Sequence, residues 1–107
     1  MTSVSRVIPI VVCEDIAATH DFLVDVFGFE AGGVQRDGGG RPVHGEVRGG
    51  DEVIWLHAVS PEHEMVSPRA LPAASGGLVI HVDDVDAHFR QASDGGATID
   101  SAPTRMS

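Results

Sequence analysis

Hydrophobic positions along this chain alternate between two periods, and each change of period marks an element. A β-branched run ending in Val11, Val12 and Cys13 reads as a strand. Behind it, Phe22, Leu23, Val26 and Phe27 recur at helical spacing and predict an amphipathic helix with those four on its inner face. Asp15 stands where an N-cap carboxylate would accept the free amides of the first turn, and Gly28 supplies a left-handed residue after the last one. From Phe29 the period falls to two. Phe29 to Arg36 predicts a strand, Asp37 to Arg41 (DGGGR) a turn, and Pro42 to Arg48 a second strand that sets Val43, Gly45 and Val47 against His44, Glu46 and Arg48. After Gly49-Gly50-Asp51 the chain turns again into Glu52 to Ala58. There Val53, Trp55 and His57 share one face and Ile54, Leu56 and Ala58 the other, so both faces are largely apolar, as a covered central strand requires.

The opening pattern then repeats. PIVVCEDIAATHDFLVDVFGFE carries an acidic pair, Glu14-Asp15, followed by Ile16 and Ala18; LVIHVDDVDAHFRQASDGGATI carries Asp83-Asp84, Val85 and Ala87, each 69 residues on. A second helix is predicted from about Val85 to Asp94, capped by Asp84, closing at Gly95, with Val85, Phe89 and Ala92 turned inward. The predicted fold class is α+β within a single domain, 1–107. It comprises a first βαβββ module over 5–58, an exposed connector over 59–76 punctuated by Pro61, Pro68 and Pro72, and a partial second module, βαβ, over 77–103. A second module equal to the first would need roughly 20–30 further residues for two more strands. An open sheet edge is therefore expected, and an open edge invites a second copy of the chain, so a homodimer is predicted.

Charge narrows the partners. Sixteen acidic residues face seven basic ones, all arginine, for a net charge of −9. That field opposes phosphate backbones and anionic lipid surfaces, so neither nucleic acid nor membrane is an expected partner. With no lysine, Schiff-base chemistry on that side chain and a phosphate loop of the usual kind are both excluded. Cys13 is the only cysteine, so no internal disulfide can form; with no signal-peptide pattern and no apolar run near 18 residues, a cytoplasmic protein is expected.

Paired βαβββ modules opened by the two segments quoted above resemble the vicinal oxygen chelate superfamily: glyoxalase I, bleomycin-resistance proteins and extradiol dioxygenases. In its metal-using branches the resemblance implies ligands near the start of the first strand, on the fourth, on the fifth and on the last. By position these fall on Ile8, Trp55 and Gly77, the fourth lying past Ser107. None of the three side chains offers the imidazole or carboxylate that such ions take, so no metal or other cofactor is expected at that site. A metal-dependent lyase, isomerase or dioxygenase would need ligands from elsewhere, and His44, Glu46 and His57 are the available alternative, since His44 and Glu46 share one strand face.

Trp55 has two readings that stand together. It is the largest candidate core side chain, and its indole would also offer a stacking plane where relatives hold a metal carboxylate, as the resemblance implies. The expected function is small-molecule binding by sequestration of a planar or cationic antibiotic-like ligand, with Ile8, Trp55, His57, His44 and Gly77 as ligand-binding residues and no catalytic residue assigned. The remaining motifs are structural: Asp83, Asp84 and Asp86 mark a helix start, Gly38 to Gly40 a turn between strands, and Cys13 a small buried thiol.

Overall fold

The computed structural model describes residues 2–71 and 73–104. The connector proline Pro72 lies outside the described residues, as do both ends of the predicted 1–107 domain. The strand–helix–strand–strand–strand order is present between residues 10 and 58. Strand β1 (Ile10–Cys13), helix α1 (Ile16–Asp25) and strands β2 (Glu30–Arg36), β3 (Pro42–Gly49) and β4 (Glu52–Ala58) build one sheet in the order β1-β4-β3-β2. β1 runs parallel to β4, a pairing the α1 crossover makes possible, and the other pairs are antiparallel hairpins.

The turns explain the registers. Asp37 Oδ1 accepts from the amides of Gly39 and Arg41, at 2.9 and 3.0 Å, and Gly40 takes the left-handed conformation. Between β3 and β4 the chain reverses over Gly50-Asp51, with Gly50 also at positive φ, and Gly49 opposes Glu52. α1 covers one face of the sheet. Cys13, Ile16, Val47, Ile54 and Leu56 form the core beneath it, with Val11, Leu23, Val24, Phe29 and Val34 packed around them.

Both predicted caps are present: Asp15 Oδ1 accepts from Ala18 N and Asp84 Oδ1 from Ala87 N, each at 3.0 Å. The inner face of α1 differs from expectation. Its buried residues are Ile16 and His20, while Phe22 is 38% exposed. Ile16, His20 and Leu23 lie one helical turn apart on a single stripe, so the turn geometry selects His20 and rotates Phe22 outward. His20 is accommodated because its Nε2 donates to the Gly32 carbonyl, at 3.2 Å, while Nδ1 lies 3.0 Å from Asp21 Oδ1.

The second module is represented by α2 (Val85–Asp94), with Ala92 buried but Val85 57% exposed rather than inward. Gly95 is the helical C-cap, and Gly96 rather than Gly95 takes the left-handed conformation. The strands predicted on either side of α2 join no sheet among the described residues, and Leu78, Val79, Ile80 and Ile99 are exposed. A strand persists only where a neighbour takes its amides and carbonyls, and the pairings of the first sheet are all made between residues 10 and 58.

Candidate functional site

Alternation along the strands decides which side chains α1 covers. Gly45 and Val47 of β3, and Ile54 and Leu56 of β4, lie buried beneath the helix. Their neighbours in sequence must project from the opposite face. The cross-strand register then arranges those neighbours in rows: Ile10, Trp55 and Glu46 in one, Val12, His57, His44 and Gln35 in the next, Val53, Arg48 and Glu30 in a third. Apolar strand β1, an indole, two imidazoles and a carboxylate thus share one surface.

Trp55 occupies the centre. Its indole Nε1 donates to Glu46 Oε1 at 3.1 Å, and its ring meets His44 edge-to-face with centroids 5.3 Å apart. Glu46 Oε2 lies 3.6 Å from Arg48 Nη1, while Arg48 Nη2 donates to the Ala31 carbonyl at 3.2 Å. His57 Nδ1 donates to the Ala58 carbonyl at 2.7 Å, so in the neutral ring Nε2 is the free acceptor. All four of His44, Glu46, Trp55 and His57 are half-buried.

Of the residues the sequence singled out, the structure therefore brings His44, Trp55 and His57 together with Glu46. Ile8 and Gly77 are not part of that group. Gly77 lines a groove with Pro9, Ile10, Val66 and Gly76 that adjoins this face through Ile10, and neither Ile8 nor Trp55 is in its wall. Ile8 precedes β1, next to Pro9, whose carbonyl accepts the Trp55 amide at 3.0 Å. At the positions the resemblance assigns to a metal, an aliphatic side chain, an indole and a bare backbone do not fit a divalent ion. Among the described residues no three His, Cys, Asp or Glu side chains gather as a metal site. In the alternative trio, Glu46 is engaged by the indole and His57 Nδ1 by a carbonyl.

The bond between Glu46 and Trp55 escaped the sequence reading although its signal was there. Once a two-residue turn sets Gly49 opposite Glu52, each step back pairs Arg48 with Val53, Val47 with Ile54 and Glu46 with Trp55.

Residues 5–107 match the family model described as Glyoxalase/Bleomycin resistance protein/Dioxygenase superfamily. Among solved structures, the chain is similar to TioX from Micromonospora sp. ML1, at 25% identity and a TM-score of 0.68, covering 95% of this chain and 80% of that one. It is similar in fold to the bleomycin-binding protein from bleomycin-producing Streptomyces verticillus, complexed with copper(II)-bleomycin, at 22% identity and a TM-score of 0.60, covering 89% of this chain and 66% of that one. A gene product from Arabidopsis thaliana shares the fold at 16% identity and a TM-score of 0.62, over 92% of this chain and 76% of that one. A search of curated protein sequences finds no match.

Proposed function

This chain belongs to the glyoxalase/bleomycin resistance protein/dioxygenase superfamily, and on that premise we propose that it is a small-molecule-binding protein that sequesters a planar, cationic, antibiotic-like ligand without turning it over. The observation that carries the reading is Trp55, half-buried on the sheet face that α1 leaves open, with Ile10 beside it and His57 and His44 in the adjoining row. A flat ligand would stack on the indole, β1 would supply apolar enclosure, and the two imidazoles would supply directional polar contacts. The net charge of −9 favours a cation at long range. That a protein of the same fold is complexed with copper(II)-bleomycin is consistent with this use of the fold.

The working form we propose is a cytoplasmic homodimer in which the module over 5–58 presents the binding face, the segment 59–76 connects, and the partial module over 77–103 packs against a second copy. No described helix is long and apolar enough to cross a membrane. The exposed Leu78, Val79 and Ile80 give a second copy an apolar segment to cover.

Calorimetric titration of the full chain with N-methylacridinium, a planar aromatic cation, tests the binding reading. Wild type is expected to bind, and Trp55→Ala to bind about five- to 150-fold more weakly, because stacking on an aromatic side chain contributes about 1–3 kcal/mol per base-sized ring. Equal affinity for the two proteins would overturn the placement of the ligand on Trp55, and no binding to wild type would overturn the ligand class.

A further inference from the structure

We propose that Glu46 is the positioning residue of the Trp55 platform, so that the ligand is recognised by the π face of a fixed ring and not by its N–H. The inference rests on the binding reading above and adds the residue that governs specificity at that surface.

An exposed-face tryptophan on a strand has rotameric freedom, and a ring that must be ordered by the ligand costs binding free energy. Here the ring is ordered beforehand. Glu46 stands directly across from Trp55 in the β3–β4 ladder, and its Oε1 takes the indole Nε1–H at 3.1 Å. A hydrogen bond to a carboxylate is roughly twice as strong as one to a neutral acceptor. His44, two residues away on the same strand face, adds an edge-to-face contact to the ring with centroids 5.3 Å apart. Glu46 is in turn steadied through Arg48, whose Nη1 lies 3.6 Å from Oε2 and whose Nη2 bonds the Ala31 carbonyl on β2.

The chemical consequence is specific. Nε1–H is the only hydrogen-bond donor an indole possesses. With Glu46 holding it, the indole itself offers a ligand no hydrogen bond and acts through planarity and its π face, leaving directional contacts to His44 and His57. Gln in place of Glu46 keeps an acceptor oxygen at the same reach and would hold the ring; Ala removes it.

The chain contains one tryptophan and no tyrosine, so indole signals report Trp55 alone. In the ligand-free full chain, the indole N–H proton resonance and its solvent exchange are compared in wild type, Glu46→Gln and Glu46→Ala, together with time-resolved emission anisotropy. Slow exchange and a rigid ring are expected in wild type and Glu46→Gln, and faster exchange with added ring motion in Glu46→Ala. Affinity for N-methylacridinium is expected to fall about three- to tenfold in Glu46→Ala and to remain within about twofold in Glu46→Gln. Identical exchange and anisotropy in all three proteins would show that Glu46 does not hold the ring. A ring freed in Glu46→Ala at unchanged affinity would show that holding it does not serve binding. A rigid ring in a wild-type protein that binds no probe would leave the Glu46–Trp55 bond as a purely structural one and overturn both this role and the ligand class; the ligand-free spectra separate that case from failure of the clamp.

Discussion

His88, on α2, sets its ring edge-on to Phe27 at 5.0 Å between centroids, and its Nε2 donates to the Phe27 carbonyl at 2.6 Å. The carbonyl lies just beyond the end of α1, where helix geometry leaves acceptors without intrahelical partners. Gln91 serves the preceding one, its Nε2 donating to the Val26 carbonyl at 3.0 Å. The second helix is thus fastened to the first through backbone acceptors that the first cannot satisfy itself.

Replacing His88 by Ala removes that bond and the edge contact together. An expected loss of about 1–2 kcal/mol follows from a hydrogen bond worth about 1 kcal/mol and an aromatic contact of similar size. His88→Phe restores only the ring and should recover part of it. Urea unfolding gives the magnitude, and amide exchange gives the location: protection should fall in α2 while β3 and β4 keep theirs. Uniform loss across the sheet would mean that His88 supports the whole fold and not the joint.

Neighbouring glycines in β2 should behave oppositely. A Cβ on Gly32 would run into the Glu46 carbonyl oxygen, a backbone atom that can yield only if β3 moves away from β2; around Gly33 the space is open. Gly32→Ala is expected to cost about 1–3 kcal/mol, the range for forced overpacking. Because the displaced atom belongs to Glu46, the Trp55 emission maximum should shift as well. Gly33→Ala should change stability by less than about 0.5 kcal/mol, as surface substitutions usually do. Thermal melts of the two variants check the contrast, and equal effects would refute the tight approach at Gly32.

Local features were the legible ones. Asp15 and Asp84 could be read as caps because a carboxylate there answers amides only three residues away, and β3 and β4 because alternation and a short turn are local too. His44, Trp55 and His57 were placed on one face by that same alternation. What failed depends on contacts that periodicity does not encode. His20 reads as polar until the Gly32 carbonyl above it is known, and Val85 as apolar and inward until nothing arrives to cover it. Ile8 and Gly77 were joined to Trp55 through the family's arrangement of two complete modules. The placement of Gly77 depends on how the segment after the connector packs, which no local pattern encodes; it lines a groove with Pro9 and Ile10.

Cys13 supplies the pH prediction. Its side chain is buried in the core at the end of β1, and burial pushes the thiol pKa up from its ordinary value, with hydrogen bonding to the Thr19 side chain and the His57 backbone opposing the rise and the Asp15 carboxylate adding to it. The folded protein therefore holds the thiol proton to higher pH than the unfolded chain does. Once pH passes the ordinary thiol pKa of about 8.5, the unfolded state binds fewer protons, so stability falls as pH rises. Below that value both states carry the proton and the effect vanishes. Urea unfolding of wild type and Cys13→Ala between pH 7 and 10 isolates the contribution: the stability difference between them should stay constant up to about pH 8 and then shift against wild type. A thiol reagent gives an independent reading, reacting slowly with folded wild type and rapidly in urea, since only an exposed thiolate attacks. Fast reaction of the folded protein at neutral pH would place Cys13 at the surface and undo the assignment of its raised pKa to burial.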